Sequence, residues 1–250
     1  MSTRAIAVPG GADVAASGEA FIAPEAVRRL CEAVDWDAAL PARARTRRWR
    51  VARHVKRVAD VVLALAALVV LLPLFALVAL LVKLTSPGPV LYEWRVLGER
   101  GRQFVGYKFR TMVADADAMK PLVEGQNEMS GPVFKMRQDP RVTRVGRVLR
   151  KYSLDELPQL WSVVVGDMSL VGPRPVYAEE FAAFAPWQRT KLAVTPGITC
   201  LWQVNGRSEI RDFDRWVALD LEYIRAWSLG LDVRILAKTL PAVLGGRGAY

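Results

Sequence analysis

Residues 150–161 read RKYSLDELPQLW and place two adjacent carboxylates, Asp155 and Glu156, just before a proline. Apolar residues follow that proline at helical spacing, so the stretch predicts a helix that opens near Pro158. Carboxylates at a helix start lie at the positive end of the helix dipole, which favours their ionised form. Ser153 and Glu156 also match a capping box, in which the pair would serve the helix alone. The surroundings of the pair decide between a functional and a structural role.

A second motif follows closely, because Gly172–Pro175 reads GPRP and holds Arg174 between two prolines. The prolines fix the backbone on either side of this arginine, so its guanidinium is pre-set relative to the chain. An ionised Asp and Glu beside such a guanidinium suit phosphate chemistry, with a divalent metal between the negative groups. A phosphate site is therefore the working hypothesis.

The net charge and the few cysteine and histidine residues of the chain limit the kinds of site and partner that it can have. A formal net charge of +10 over 250 residues implies an anionic partner, which is nucleic acid, a phosphate-bearing substrate or anionic lipid. Cys31 and Cys200 lie far apart without a second pair, which argues against a disulfide framework or a zinc site. The single histidine, His54, argues against a histidine-based triad or metal site.

Residues 1–54 are predicted to be a disordered and basic N-terminal extension, with a short helix in residues 24–40 and an arginine-rich run that contacts an anionic membrane. From Val61 to Val82 the chain is uninterruptedly apolar, and Pro73 lies near the centre of this run. Both flanks are basic, and positive residues prefer the cytoplasmic face. Residues 55–86 are therefore predicted to form a re-entrant helix-break-helix hairpin with its kink at Pro73. A single straight span is the alternative.

Residues 87–250 are predicted to form a cytosolic domain of amphipathic helices with a small β-hairpin, so that the fold class is α+β and mainly α. The two strands are predicted at 90–95 and 103–110, and an amphipathic helix is predicted at 209–227. Arg141 and Arg144 belong to an arginine stripe and are expected at a solvated or lipid-facing surface.

Seven motifs occur in this order along the chain: Lys56-Arg57-x-x-Asp60, Tyr107–Met112, Asp139–Arg141, Ser153–Leu160, Gly166–Pro175, Pro196–Thr199 and Gln203–Arg207. Together they resemble the bacterial sugar transferase family, the monotopic phosphoglycosyl transferases, from about residue 55 to the C-terminus. The resemblance implies transfer of a sugar 1-phosphate from a UDP-hexose, galactose or glucose, to undecaprenyl phosphate with release of UMP. This reaction starts exopolysaccharide or other glycan assembly at the membrane.

The resemblance also implies the roles of individual residues. Asp155 would attack the sugar-bearing phosphate and carry a covalent phosphosugar intermediate, while Asp155 and Glu156 would hold Mg²⁺. Asp220 and Asp232 match substrate-binding carboxylates of the family, although a helix-surface position or structural pairing is the alternative for each. Four cations would bind phosphate oxygens: Lys108, Arg150, Arg174 and Arg207.

The implied partners are a UDP-sugar, undecaprenyl phosphate and the lipid bilayer, with the catalytic domain on the cytoplasmic face of the bacterial inner membrane. No nucleic acid is expected, and a homo-oligomer is compatible with the sequence. Leu72 precedes the kink proline where the family often has serine, and Cys200 stands where glycine is usual. The segment GPVFKM, residues 131–136, is more similar to members that use UDP-glucose or UDP-galactose than to those that use N-acetylated sugars.

Two rival interpretations stand beside the transferase. A membrane-tethered module that binds anionic lipid or nucleic acid accounts for the charge, but not for a carboxylate pair near Arg174. A nucleotide-sugar hydrolase keeps the metal and phosphate site and uses water as the acceptor. The first predicts normal function after Asp155→Asn, and the second predicts repeated UMP release without polyprenyl phosphate.

Overall fold

The computed structural model describes residues 24–245, and the disorder predicted for residues 1–23 lies outside them. The helices are α1 (Pro24–Glu32), α2 (Arg47–Val70), α3 (Leu72–Thr85), α4 (Lys120–Val123), α5 (Arg144–Lys151), α6 (Leu160–Val165), α7 (Ala178–Ala183), α8 (Pro186–Arg189), α9 (Leu201–Val204), α10 (Phe213–Ala226) and α11 (Leu229–Leu244). The strands are β1 (Leu91–Leu97), β2 (Gln103–Phe109), β3 (Ser169–Val171) and β4 (Gly197–Thr199). Short 3₁₀ helices occupy Trp36–Ala39, Ala42–Arg45, Glu99–Gly101, Glu124–Gln126, Leu154–Gln159, Thr190–Ala193 and Arg207–Glu209. The predicted class, mainly helical with a small β-hairpin, is confirmed for these residues.

The helices α2 and α3 meet at a bend of 62°, broken at Leu71 just ahead of Pro73. Pro73 lies in the first turn of α3, where backbone N–H groups have no partner within the helix, so the missing N–H of proline costs no helical hydrogen bond. No single helix within residues 24–245 is long and apolar enough to cross a membrane, whereas this bent pair passes that test by length and composition. The predicted helix-break-helix pattern is therefore present, and the predicted boundary at residues 54/55 falls inside α2.

The N-terminal segment packs onto the rest of the chain. The main hydrophobic core buries Val27 of α1, Ala39 of the first 3₁₀ helix and Trp49 of α2. The Trp49 ring lies edge-on to Trp227, with their centroids 4.5 Å apart. The described part of the predicted extension, residues 24–54, is thus folded against the domain.

Two small strand pairs position the site. β1 and β2 form the predicted antiparallel hairpin, with Leu91 opposite Phe109. β3 and β4 form a parallel pair that the sequence did not predict. A Cβ atom on Gly197 would clash with the backbone nitrogen of Gly172, so the close approach of these two segments requires glycine. This pairing anchors the turn that carries Arg174.

Helix α10 supplies a large share of the main core. Phe213, Val217 and Ile224 are buried along one face, as the predicted amphipathic stripe requires.

The expectation for Arg141 was wrong, because this residue is only 5% exposed and pairs with Asp139 at 2.7 Å. The buried carboxylate of Asp139 pairs with the Arg141 guanidinium, which the spacing of the arginines alone had predicted to lie at the surface.

Candidate active site

The stretch that carries Asp155 and Glu156 differs from the predicted helix start. Leu154–Gln159 is a 3₁₀ helix with Pro158 inside it, and α6 follows. Ser153 has a left-handed backbone with φ of 53° and makes no side-chain cap bond, so the capping box that the sequence matched is not formed. Capping therefore does not account for the carboxylate pair, whose contacts are with other elements.

Two cations converge on Glu156 from separate elements. Lys108 of β2 donates from Nζ to Oε1 at 3.2 Å, and Arg174 donates from Nη1 to the same oxygen at 3.0 Å. Both cations also lie over the Trp94 ring, with Lys108 Nζ 3.8 Å and Arg174 Cζ 5.4 Å from its centroid. The β-hairpin and the turn after β3 thus bring residues from distant parts of the sequence to one carboxylate.

The two neighbouring carboxylates differ in basicity. Burial alone would raise the pKa of Glu156, but Lys108 and Arg174 hold that pKa at about 2. Burial raises the pKa of Asp155, and the charge of Glu156 raises it further, while Lys108 and Arg150 oppose the rise. Asp155 is therefore the more basic of the two, and a carboxylate that binds a proton more tightly also donates its electron pair more readily.

Two further arginines flank the pair. Arg150 donates from Nε to the Thr111 hydroxyl at 3.0 Å, and its charge favours ionised Asp155. Arg207 donates from Nη2 to Ser153 Oγ at 2.6 Å, while its buried Nη1 has no hydrogen-bond partner in the described part of the chain. Ser153 and Arg207 both have left-handed backbones, which residues other than glycine rarely adopt. A buried guanidinium nitrogen without a partner suits a site that takes an anion.

Lys135 is a fifth cation at the site, and sequence reasoning missed it as a site residue. Its Nζ lies 4.0 Å from the centroid of the Trp202 ring. Burial lowers the pKa of Lys135, and the charges of Arg174 and Arg207 lower it further, to about 7. The loop that carries this lysine has no periodic pattern, and the available signal was the family-like segment at residues 131–136.

The site holds more positive than negative charge. Two carboxylates, Asp155 and Glu156, lie among cations from five separate regions of the chain. An excess of this kind suits phosphate groups, which carry strong acceptor oxygens and negative charge at neutral pH. Five cations interact electrostatically with one or both carboxylates: Lys108, Lys135, Arg150, Arg174 and Arg207.

Asp220 and Asp232 are both engaged by other protein groups. Asp220 is fully buried and pairs with Lys191 at 2.7 Å. Asp232 accepts hydrogen bonds from Lys56 Nζ and from the Tyr223 hydroxyl, each at 2.8 Å. Neither carboxylate is hydrogen-bonded to a cation of the site. The structural pairing that the sequence left open accounts for the position of each.

The donor set of the site suits Mg²⁺ when phosphate oxygens complete it. Over residues 24–245 no group of three or more Asp, Glu, His or Cys side chains could hold a metal ion by itself. Mg²⁺ is usually bound through one or two carboxylates together with substrate phosphates and water, and Asp155 with Glu156 matches that pattern. After burial, repulsion from Glu156 is the next cause of the raised pKa of Asp155, and a divalent cation between the two would relieve it.

Comparison with known proteins places this site in a family context. A family model described as bacterial sugar transferase matches residues 51–246. The chain is 46% identical over 162 residues to galactosyl transferase CpsE of Streptococcus agalactiae, covering 65% of this chain and 36% of that protein. It is 43% identical over 199 residues to exopolysaccharide production protein ExoY of Sinorhizobium fredii, covering 78% and 88%. It is 41% identical over 209 residues to undecaprenyl-phosphate galactose phosphotransferase of Salmonella typhimurium, covering 80% and 43%. The chain thus spans less than half the length of two of these relatives and most of the third.

Proposed function

Because the chain belongs to the bacterial sugar transferase family, we propose that it transfers a hexose 1-phosphate from a UDP-hexose to undecaprenyl phosphate and releases UMP. The observation that carries the proposal is the cation-rich site around Asp155 and Glu156, since donor and acceptor both bring phosphate groups. Two of the relatives are named for galactose, so galactose is the first hexose to test and glucose the second. The reaction would be the first membrane step in the assembly of an exopolysaccharide or related glycan.

The proposed reaction consists of two displacements at one phosphorus atom. In the first, an oxygen of Asp155 bonds to the sugar-bearing phosphorus, the bond to the bridging oxygen breaks, and UMP leaves with that oxygen. In the second, a phosphate oxygen of undecaprenyl phosphate bonds to the same phosphorus and the bond to Asp155 breaks, which restores the carboxylate. Splitting the transfer lets one site serve a soluble donor and a membrane-bound acceptor in turn.

The surroundings of the two carboxylates support different roles for them. Glu156 has a low pKa, and Lys108 and Arg174 both donate to its Oε1, so the electron pairs of that oxygen are committed to those cations, whereas Oε2 accepts from neither of them. Asp155 is the more basic group, and Lys108 and Arg150 favour its ionised form. Asp155 is therefore the nucleophile in the proposed mechanism, and Glu156 holds the cations that receive the phosphates.

The cations of the site would bind and orient the phosphate groups. Arg207 offers a buried Nη1 without a protein partner within the described residues, and Arg174 is pre-set by its flanking prolines. Asp155 and Glu156 would hold Mg²⁺, which would offset the negative charge of the diphosphate and of the leaving UMP. These contacts would neutralise charge that otherwise repels a carboxylate nucleophile.

The bent pair of α2 and α3 is, in this proposal, a re-entrant hairpin that holds the site at the cytoplasmic face of the inner membrane. The basic end of α2 is fixed to the domain, because Lys56 pairs with Asp232 and Arg57 donates to the carbonyl oxygens of Val163 and Val164. Insertion from one face would place the site at the depth of the lipid phosphate. Exposed apolar side chains cover both helices, including Val62, Leu65, Val69, Leu72, Leu77, Leu80 and Leu84.

UMP release by the purified protein in detergent micelles or nanodiscs tests the proposal. A panel of UDP-sugars is assayed with and without undecaprenyl phosphate and Mg²⁺. Multiple turnovers are expected only with a UDP-hexose, the metal and the lipid phosphate together, and Asp155→Asn should lower turnover roughly 10⁴-fold or more. Asp167→Asn is the matched control, because Asp167 pairs with Arg102 outside the site.

The rival functions give different results in the same assay. Repeated UMP release without lipid phosphate would indicate a hydrolase. No release with any UDP-sugar, or equal release by Asp155→Asn, would leave a membrane-tethered binding module.

A further inference from the structure

A groove of about 250 Å³ begins at the active site. At one end its wall contains Ser153, Glu156 and Arg207, which belong to the site described above. Beyond that end the wall is formed by the 3₁₀ helix at 154–159, α6, β3, β4, α9 and α11, and its surface is almost entirely apolar although Thr199, Gln203 and Thr239 also line it. The apolar side chains include Leu157, Leu160, Leu170, Ile198, Leu236 and Leu240.

The two ends of the groove differ in chemistry. Arg207 contributes charge at the site end, and its buried Nη1 has no partner elsewhere in the described chain. The α11 end contributes leucine, alanine and valine side chains, with Thr239 as a polar exception whose hydroxyl donates to the carbonyl oxygen of Ile235. A molecule that fits the groove therefore has an anionic head and an apolar remainder.

One wall of the groove continues onto an exposed face of α11. The large exposed apolar residues of this helix are separated by four, seven and four positions, which places them on one face. Leu240 belongs both to this face and to the groove wall. A chain that leaves the groove would therefore meet apolar surface. The residues of this face are Leu229, Val233, Leu240 and Leu244.

We propose that the groove holds the isoprene units next to the phosphate of the acceptor lipid, an inference that rests on the proposed function. The hexose and uridine of the donor carry hydroxyl, carbonyl and N–H groups, which are costly to bury against leucine side chains. An isoprenoid chain has no such groups and gains stability when its surface leaves water. At about 250 Å³ the groove covers only the start of a long chain, and the rest stays in the bilayer.

A matched pair of substitutions on α11 separates the groove from general membrane contact. Leu240 and Val233 are 67% and 66% exposed on the same face, but only Leu240 lines the groove. Leu240→Gln and Val233→Gln each place an amide on the surface without opening the core, so both proteins are expected to fold. Their melting temperatures in detergent check this point.

Two readouts are compared for the pair. In turnover, Leu240→Gln should raise KM for undecaprenyl phosphate about tenfold, the loss expected when one leucine contact is removed from an isoprene unit. Val233→Gln should leave that KM unchanged, and both variants should keep the wild-type KM for UDP-hexose and the burst of UMP formed without lipid phosphate. Native mass spectrometry with undecaprenyl phosphate alone should show the same tenfold weakening for Leu240→Gln only.

The outcomes that would overturn the inference are distinct from failure of the proposed function. Equal weakening in both variants would mean that the α11 face contacts the bilayer and the groove is not the chain site. Unchanged lipid binding in both variants would remove the groove from acceptor binding. A wild-type protein that releases no UMP would reject the proposed reaction, whereas the lipid-binding comparison would still decide the occupant of the groove.

Discussion

The charges around Asp155 differ from the pairs Lys191–Asp220 and Arg141–Asp139 in both balance and exposure, because the pairs are buried and the charges around Asp155 are half-buried. In each pair one cation meets one carboxylate at 2.7 Å. At the candidate active site five cations interact with two carboxylates. A balanced pair is complete within the protein, whereas a surplus of half-buried positive charge remains open to an anion and is unfavourable until one binds. Charge balance and exposure together distinguish the candidate site from the structural pairs.

Asp220→Asn is expected to give the largest change in stability. It would leave Lys191 fully buried without a counter-charge, which should lower the free energy of unfolding by about 3–5 kcal/mol. Thermal or chemical unfolding in detergent micelles measures this loss. Replacing both partners with apolar residues of similar volume should recover most of it. If Asp220→Asn kept its stability and lost turnover, Asp220 would belong with the active site.

Arg207→Lys tests whether the surplus cations serve a ligand. Lysine keeps the charge but lacks the planar guanidinium, so loss of about 1.5–3 kcal/mol is expected, which is roughly a tenfold to hundredfold fall in kcat/KM. The free energy of unfolding should fall by about 1 kcal/mol at most, because the hydrogen bond from Nη2 to Ser153 Oγ is put at risk while Nη1 has no protein partner among residues 24–245 to lose. Arg147→Lys, at an exposed position of α5, should change neither quantity. An unchanged kcat/KM in Arg207→Lys would contradict a phosphate contact.

The pH dependence of donor binding gives the smallest expected effect. Lys135 has a pKa of about 7, so it carries its charge below that pH and loses it above. KM for the UDP-hexose should therefore rise as pH increases through 7, by up to about tenfold for one charged contact. Lys135→Arg stays charged and should flatten this rise. If KM rose equally with pH in wild type and in Lys135→Arg, a titratable group other than Lys135 would cause the rise.

The parts of the fold with a local signal could be predicted from the sequence. An apolar run with Pro73 near its centre predicted the bent pair of helices, and alternating strands around a turn predicted the β1–β2 hairpin. The apolar stripe of α10 likewise predicted an amphipathic helix with one buried face. For the site, the family-like motifs nominated cations that the structure does bring beside Asp155 and Glu156: Lys108, Arg150, Arg174 and Arg207.

Contacts between distant segments could not be read from local patterns. Lys135 lies on a loop without periodicity, and only the tertiary fold brings it near Arg174 and Arg207. The Ser153 hydroxyl accepts from Arg207 and takes no part in capping, so a correct local motif gave the wrong local structure. Arg141 was expected in solvent because its helix-like spacing says nothing about the buried carboxylate that pairs with it.

The central claim is that Asp155 forms a covalent bond to the transferred phosphorus, and the intact mass of the protein tests it most directly. The protein is incubated with Mg²⁺ and the UDP-hexose that supports UMP release, without undecaprenyl phosphate, and is then quenched. Wild type should gain the mass of one hexose phosphate and lose it when undecaprenyl phosphate is added, while Asp155→Asn gains none. An adduct on Asp155→Asn, or UMP release by wild type without any adduct, would contradict the account.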